Sequence, residues 1–453
     1  MSAGAASREA RTVPFLRSLT RHARTPIRAF EEASTRARGE LVRLNMGPFR
    51  PYLVTHPDHV QHVLRRNQSN YLREGMFWDP LAPLIGNGIL SDGPAWADSR
   101  AILQPLFTAK YVDALAGRMA GIMTELIETV MVPGRPFDIA ESVSALVHPT
   151  IVRLLLGAKL PEADVNRLAP AYDTGVTARS IRLLLPFVPQ GFPLPGDRAF
   201  KRAIRTIDDV VYPTIRHARA QAQEDGDVVS ALCRARHGDV GVDGDRRIRD
   251  DLVAIHGAAT ETSATALTWV WPVLDAHPEV AAKVYEEVER VVGAGPVTTD
   301  HLPRLTYLRM FLDELLRLYP PGWILPRTAR ADDVIDGIEI EAGSTIVLSP
   351  FLTHRLAEWW NRPLDFLPER FAPGDSGHGG GRRHRYAYFP FAAGPHVCLG
   401  PHLFMMEALL LVAGILSKYR PVLGSRGPVT PRLASTLRPA TGLSMTLVPV
   451  GHR

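Results

Sequence analysis

Apolar residues recur every three to four positions over about 112–131, 138–157, 162–184, 197–224 and 278–292, and this spacing predicts amphipathic helices there. The stretch from about 249 to 273, which includes most of DLVAIHGAATETSATALTWVWPVL, predicts the longest apolar helix, with a small polar patch at its centre. A further apolar helix is predicted over about 402–419, and another begins near Gly93-Pro94. Elsewhere the period shortens to two. Val42, Leu44 and Met46 share one face of 41–46, a Gly-Pro turn follows, and 51–55 completes a hairpin. His56-Pro57-Asp58 opens a short helix to about Arg65, while 333–350 alternates and turns at Gly337 and Gly343, extending a small sheet. A closing strand region contains Ser435 and Leu437. The pattern therefore predicts a mainly α fold with a smaller β-rich lobe.

Two stretches lack a period. Residues 68–92 carry Met76, Phe77, Trp78, Leu81, Leu84 and Ile85 on an irregular segment, which either covers a ligand or packs a satellite cluster beneath itself. PFVPQGFPLPGD, at 186–197, is a Pro/Gly-rich hinge between two helices. The first 30 residues are Arg- and Ser-rich and poor in acids, which suits either a transit peptide or a frayed arm, and residues 1–25 are taken as a flexible arm. With no internal repeat, 1–453 is read as one domain with unequal lobes.

Composition narrows the function classes. With 45% hydrophobic and 22% charged residues, the chain has the balance of a folded protein that can bury a large core. A net charge of +5 without a basic stripe excludes nucleic acid as the expected partner. Five of the 52 cations are lysine, an arginine bias typical of GC-rich bacterial genomes. No run of 18 consecutive apolar residues appears, so no membrane span is expected. Cys233 and Cys398, far apart in unlike contexts, argue for free thiols in a reducing cytoplasm.

The chemistry concentrates at Cys398. It stands in a Gly/Pro loop, FPFAAGPHVCLG, just before an apolar helix, where free backbone N–H groups and the helix dipole favour a thiolate. Gly394 and Gly400 allow a tight turn and close approach of a flat ligand, and the Leu399 and Gly400 amides are placed to hydrogen-bond the sulfur. The same loop also suits a small buried hydrophobe, and the loop alone leaves both readings open. In the central helix Gly257, Ala258 and Ala259 remove bulk beside Glu261 and Thr262, giving space for a ligand and a route for protons; alternatively Thr262 back-bonds its own helix. Trp96 and Arg100 lie four apart on one helical face, a spacing shared with ordinary surface cation–π pairs. Glu314 and Arg317 are three apart among Leu312, Leu315 and Leu316.

In this order the motifs resemble those of the cytochromes P-450, the haem-thiolate monooxygenases. Phe391, Gly394, Cys398 and Gly400 match F-x-x-G-x-x-x-C-x-G; Ala258 to Thr262 matches the oxygen-activation signature with Ala259 in place of its usual glycine. Glu314 and Arg317 match E-x-x-R, for which the family supplies a further partner, here Arg370 in PERF. The resemblance covers nearly the whole chain. It implies haem b (iron protoporphyrin IX) bound through Cys398, with Trp96, Arg100, Arg327 and His396 at the propionates; His396 stands where an arginine is frequent. It places the hinge at the family's mobile substrate lid, and Met76, Phe77, Trp78, Leu84, Ile255, Ala258, Trp323 and Ile324 around a small apolar substrate such as a terpenoid.

The implied reaction takes dioxygen and two electrons. No flavin or iron–sulfur region follows in the sequence, so ferredoxin and its reductase are the expected donors, and the basic loop at 374–385 with Arg382, Arg383 and Arg385 either meets an acidic donor or is solvated. Isomerisation, dehydration or peroxide chemistry on the same fold is a second reading, which the Glu261–Thr262 pair disfavours. A non-catalytic haem sensor is a third.

Overall fold

A three-residue strand has no periodicity of its own and needs a neighbour. In the computed structural model, which describes residues 9–157, 160–179, 182, 188, 191–220, 227–239, 241–374, 383–424, 429–439 and 442–451, such strands find partners from distant parts of the chain. Taken in order they are β1 (Arg11–Val13), β2 (Val42–Leu44), β3 (Tyr52–Val54), β4 (Tyr71–Leu72), β5 (Phe137–Asp138), β6 (Leu325–Ala329), β7 (Asp333–Ile335), β8 (Ile338–Ile340), β9 (Thr345–Leu348), β10 (Tyr419–Leu423), β11 (Pro431–Leu433), β12 (Leu437–Pro439) and β13 (Ser444–Pro449). The main sheet runs β1-β2-β3-β9-β6-β4, and a smaller one runs β10-β13-β5.

Contacts gather the chain into two units, neither of them continuous. The first comprises Met1–Leu72, Thr124–Val143 and Thr262–Arg453; the second comprises Arg73–Met123 and Ser144–Glu261. All the described strands belong to the first unit. Its main sheet is covered on both faces. Tyr52, Val54, Ile346 and Leu348 enter one apolar cluster, whereas Leu53 and Val347, pointing the opposite way, enter another with Phe15, Ile27 and Trp323. That is why β3 is buried at every position. The β7–β8 hairpin turns at Asp336 and Gly337, both at positive φ (50° and 73°), the conformation that favours Asp-Gly in a two-residue loop.

The arm reading fails for residues 11–21. β1 pairs in parallel with β2, a helix spans Phe15–Arg21, and the Phe15 ring is buried 4.7 Å from that of Phe30. Burial of that ring anchors the segment. Residues 68–92 are also less irregular than expected, since Tyr71 and Leu72 pair with Ala329 and Thr328 and a short helix covers Ala82–Ile85.

The described secondary structure of the second unit is helical, with the Glu162–Ala178 and Asp197–Ala220 helices packed on each other. The central helix runs from Val242 to Ala276. One helix, Ile139–Leu156, has a mean hydropathy of 1.4 and is long enough to cross a bilayer, contrary to the expectation from uninterrupted apolar runs. It is 61% buried inside the protein, as a core helix is. Parts of the hinge at 186–197 and most of the basic loop, including Arg382, lie outside the described residues.

Candidate functional site

The cysteine loop is built by two tight turns and one hydrogen bond that closes it as a whole. The Ala392 amide donates to the Phe389 carbonyl at 3.0 Å, Val397 to Gly394 at 3.1 Å, and Cys398 to Phe391 at 2.9 Å. Gly394 sits at φ +72°, and a Cβ there would come within 1.7 Å of the Leu64 carbonyl oxygen, so both its conformation and its neighbour require glycine. Ala392 also adopts a left-handed φ of 58°, an uncommon arrangement outside glycine. Phe391 packs against Phe404 with ring centroids 5.9 Å apart, tying the loop to the Pro401–Leu416 helix.

The two cysteines differ sharply. Cys398 is exposed, and the Gly400 N–H, at the cap of that helix, points at its Sγ from 3.3 Å. A donor aimed at sulfur stabilises the thiolate and tunes it as a ligand. Cys233 is buried, its Sγ lies 3.8 Å from the Ile215 carbonyl, and burial pushes its thiol up to about 11. The buried-hydrophobe description thus fits Cys233.

A buried charge network stands behind the loop. Glu314 accepts from Arg317 at 2.6 and 2.9 Å, from Arg370 Nε at 3.0 Å and from the Leu367 amide at 2.8 Å. Arg317 also donates to the carbonyls of His354, Pro363 and Asp365. His354 is fully buried, and burial drives its pKa well below the usual imidazole value. Its Nδ1–H donates to the Arg317 carbonyl at 3.1 Å, which leaves Nε2 to accept from the Phe389 amide at 2.9 Å. Hydrogen bonds therefore run from the Glu314–Arg317–Arg370 cluster to the first residue of the cysteine loop. His354 was not singled out in the sequence, where a lone histidine in THR carries no signal.

The central helix is buried from Asp251 to Gly257 and again from Thr265 to Leu274. Burial lapses between them: Ala258 is exposed, and Ala259, Thr260, Glu261 and Thr262 are half-buried. The turn with the acid and the hydroxyl is thus the accessible one. Thr260 donates its hydroxyl to the His256 carbonyl at 2.8 Å, the back-bonding pattern of a mid-helix threonine. Beside this turn in sequence, Ser263 faces Glu407, a fully buried carboxyl that desolvation raises to about 8. Glu407 is therefore neutral near pH 7. An acid inside MMEALLLVAG was its signal in the sequence.

Cationic groups are distributed as follows. Trp96 and Arg100 are half-buried on the Gly93–Leu103 helix, with Arg100 Nε donating to Gln104 at 3.0 Å. Arg73, which sequence reasoning overlooked, lies 5.9 Å above the Trp78 ring; burial lowers it to about 10, with Asp92 opposing and the Arg100 charge reinforcing. Arg327 is buried on β6, donating to the Pro326 carbonyl at 2.7 Å, and His396 is half-buried.

Several expected positions need correction. Trp323 is core: its indole donates to the Ala434 carbonyl at 3.1 Å and meets Phe30 edge-on at 5.1 Å, and Ile324 packs on the same cluster. Leu84 is fully buried against Gly175, where a Cβ would come 3.2 Å from Leu84 Cδ2. Met76, Phe77 and Trp78 are half-buried, and Ile255 is buried. In the basic loop, Arg383 is not solvated; its guanidinium lies 4.0 Å over the Trp360 ring and donates to the Arg370 carbonyl. Arg385 is exposed.

The family model described as Cytochrome P450 matches residues 11–446. Cyclooctat-9-en-7-ol 5-monooxygenase of Streptomyces melanosporofaciens is 32% identical over 391 residues, 86% of this chain and 84% of that protein. Pentalenene oxygenase of Streptomyces avermitilis is 28% identical, covering 89% of each. Among solved structures, the heme domain of cytochrome P450DA superposes with a TM-score of 0.81 at 22% identity over 98% of each chain, a likeness of fold.

Proposed function

Because the chain belongs to the cytochrome P450 family and is a haem-binding monooxygenase, we propose that it inserts one oxygen atom into a cyclic terpenoid, with Cys398 as the haem ligand. The observation that carries the ligand assignment is the exposed Cys398 Sγ with the Gly400 N–H pointing at it, whereas burial keeps the other cysteine, Cys233, as a thiol. When bound, a haem with a thiolate ligand supplies the activation of dioxygen for attack on a C–H bond. The donor set suits that group. Gly394 lets the cysteine loop close against Leu64, the Gly400 N–H is aimed at the sulfur, and Trp96, Arg100, Arg327 and His396 are assigned to its carboxylates.

The protein's own part is positioning and proton supply. Glu261 and Thr262, on the accessible turn of the central helix, hold and pass protons at the reacting face, and Ala258 leaves room for substrate. Met76, Phe77, Trp78 and Ile255 supply apolar surface, in keeping with the terpene names of the two relatives. Electrons come from a separate ferredoxin and its reductase, to which the exposed Arg385 offers a cation. A cytoplasmic location agrees with two cysteines that form no disulfide.

The reduced carbon monoxide spectrum tests the ligand. Cys398→Ser is expected to abolish the red-shifted Soret band while Cys233→Ser keeps it; the opposite result rejects the assignment.

A further inference from the structure

Within the second unit, the Glu162–Ala178 helix lays one phenol directly on the central helix. A Cβ on Gly257 would come within 1.6 Å of the Tyr172 Oη and 1.7 Å of its Cζ, so only glycine at 257 admits the ring edge. Tyr172 is 9% exposed. Its ring meets that of His256 edge-on, with centroids 5.5 Å apart. His256 is itself pinned. The Val165 carbonyl accepts from His148 Nε2 at 2.9 Å, which leaves His148 Nδ1 bare to accept from His256 Nε2 at 3.2 Å. Burial keeps both imidazoles neutral, lowering His256 to about 3. The relay thus starts on Tyr172's own helix and ends against Tyr172's ring, fixing where the phenol points.

The hydroxyl at the end of this arrangement has no hydrogen-bond partner among the described residues. It remains protonated, because burial raises its pKa and the Glu261 carboxylate adds to the rise. Gly257, on which it rests, stands one helical turn before Glu261. A rigidly held donor without a protein acceptor gains a hydrogen bond of fixed direction when a ligand brings an acceptor.

We propose that Tyr172 is a substrate-orienting hydroxyl, donating a hydrogen bond to an alcohol or carbonyl oxygen already present on the cyclic terpenoid. The inference rests on the monooxygenase reading above and narrows its substrate class. It also places this reaction after a step that installs the first oxygen, either an earlier oxygenation or a cyclisation ended by water.

The test uses the full-length, haem-loaded protein and matched ligands: cedrane with cedrol, patchoulane with patchoulol, and fenchane with fenchone. Dissociation constants are read from the substrate-binding difference spectrum. In the wild type the oxygenated member of at least one pair should bind roughly 3- to 10-fold tighter, the range of one neutral hydrogen bond. Tyr172→Phe should erase that preference, leave the hydrocarbon's affinity unchanged, and scatter the positions oxidised. Gly257→Ala, whose Cβ displaces the phenol, should erase the same preference, so the inference is tested even if one variant folds poorly. A preference that persists in both variants, or its absence from every pair in the wild type, overturns the proposal. A wild type without the red-shifted Soret band of the reduced carbon monoxide complex would instead reject the haem-thiolate assignment beneath it.

Discussion

Replacing Glu314 with alanine removes the one carboxylate that the buried Arg317 and Arg370 share. Arg317 and Glu314 are both 0% exposed, so water cannot take over the lost contacts. The remaining partners of the two guanidinium groups are main-chain carbonyls and the Trp360 ring, none of which neutralises charge. Breaking a buried pair from one side costs about 3–5 kcal/mol. With an unfolding entropy of about 2.1 cal/mol/K per residue, that lowers Tm by roughly 3–5 °C if the whole chain melts together, and by more if the unit containing Glu314 melts separately. The damage should also reach the cysteine loop, because Arg317 holds His354 and His354 holds the Phe389 amide. Thermal unfolding followed by circular dichroism gives the first number, and the Soret-to-protein absorbance ratio gives haem content. Arg167→Ala serves as the control, since its pair with Asp164 is largely exposed and worth about 0–1 kcal/mol. A Glu314→Ala protein that melts within about 1 °C of wild type with full haem content would refute the argument.

Glu407 should make stability depend on pH in a particular sense. Burial raises its folded-state pKa from 4.5 to about 8, so the folded form keeps a proton that the unfolded form releases. This group's contribution is full below about 4.5 and is lost as pH rises toward 8, by roughly a few kcal/mol at most. Glu407→Gln should therefore be more stable than wild type at pH 8, with the gap closing at pH 5; parallel melting curves at both pH values would contradict this. Thr262→Ala should bind substrate normally yet release hydrogen peroxide in place of product, with roughly 100-fold or greater loss of coupled turnover; retained coupling would show that the hydroxyl serves only its helix. Arg385→Glu should slow reduction by ferredoxin and flatten its salt dependence, as measured by stopped-flow; unchanged rates leave Arg385 as solvated surface.

Features fixed by local pattern were legible in the sequence. The helices read at about 112–131, 138–157, 197–224 and 278–292 correspond to Ala109–Val130, Ile139–Leu156, Asp197–Ala220 and Pro278–Val291, because an apolar stripe repeats within each of them. The Asp336-Gly337 turn was legible for the same reason, since its residues alone dictate its backbone. Features fixed by a distant partner were not. β1 has three residues and depends on β2 for every ladder bond. Trp323 looked like pocket lining because apolarity does not tell a core face from a ligand face; only Phe30 and the Ala434 carbonyl settle it. Arg383 looked solvated in a basic run, whereas Trp360 takes it up from well upstream. His354, Tyr172 and Glu407 acquire their meaning from surroundings that no short motif encodes.

The discontinuity of the first unit has a consequence for biosynthesis. β3 waits for β9, almost 300 residues later, and β5 waits for β13, which ends at Pro449. A chain leaving the ribosome can form the local helices of Arg73–Met123 and Ser144–Glu261 as they emerge, and β1, β2 and β3 can pair with one another, but β3, β4 and β5 lack β9, β6 and β13 until those later segments are made. The Cys398 loop appears late as well, and its anchor on Leu64 has by then been waiting, exposed, for most of translation. Iron-starved or chilled cultures should therefore accumulate a helical, sheet-deficient species whose N-terminal 72 residues are the first cut by protease, and delayed haem supply should rescue it only after translation has finished.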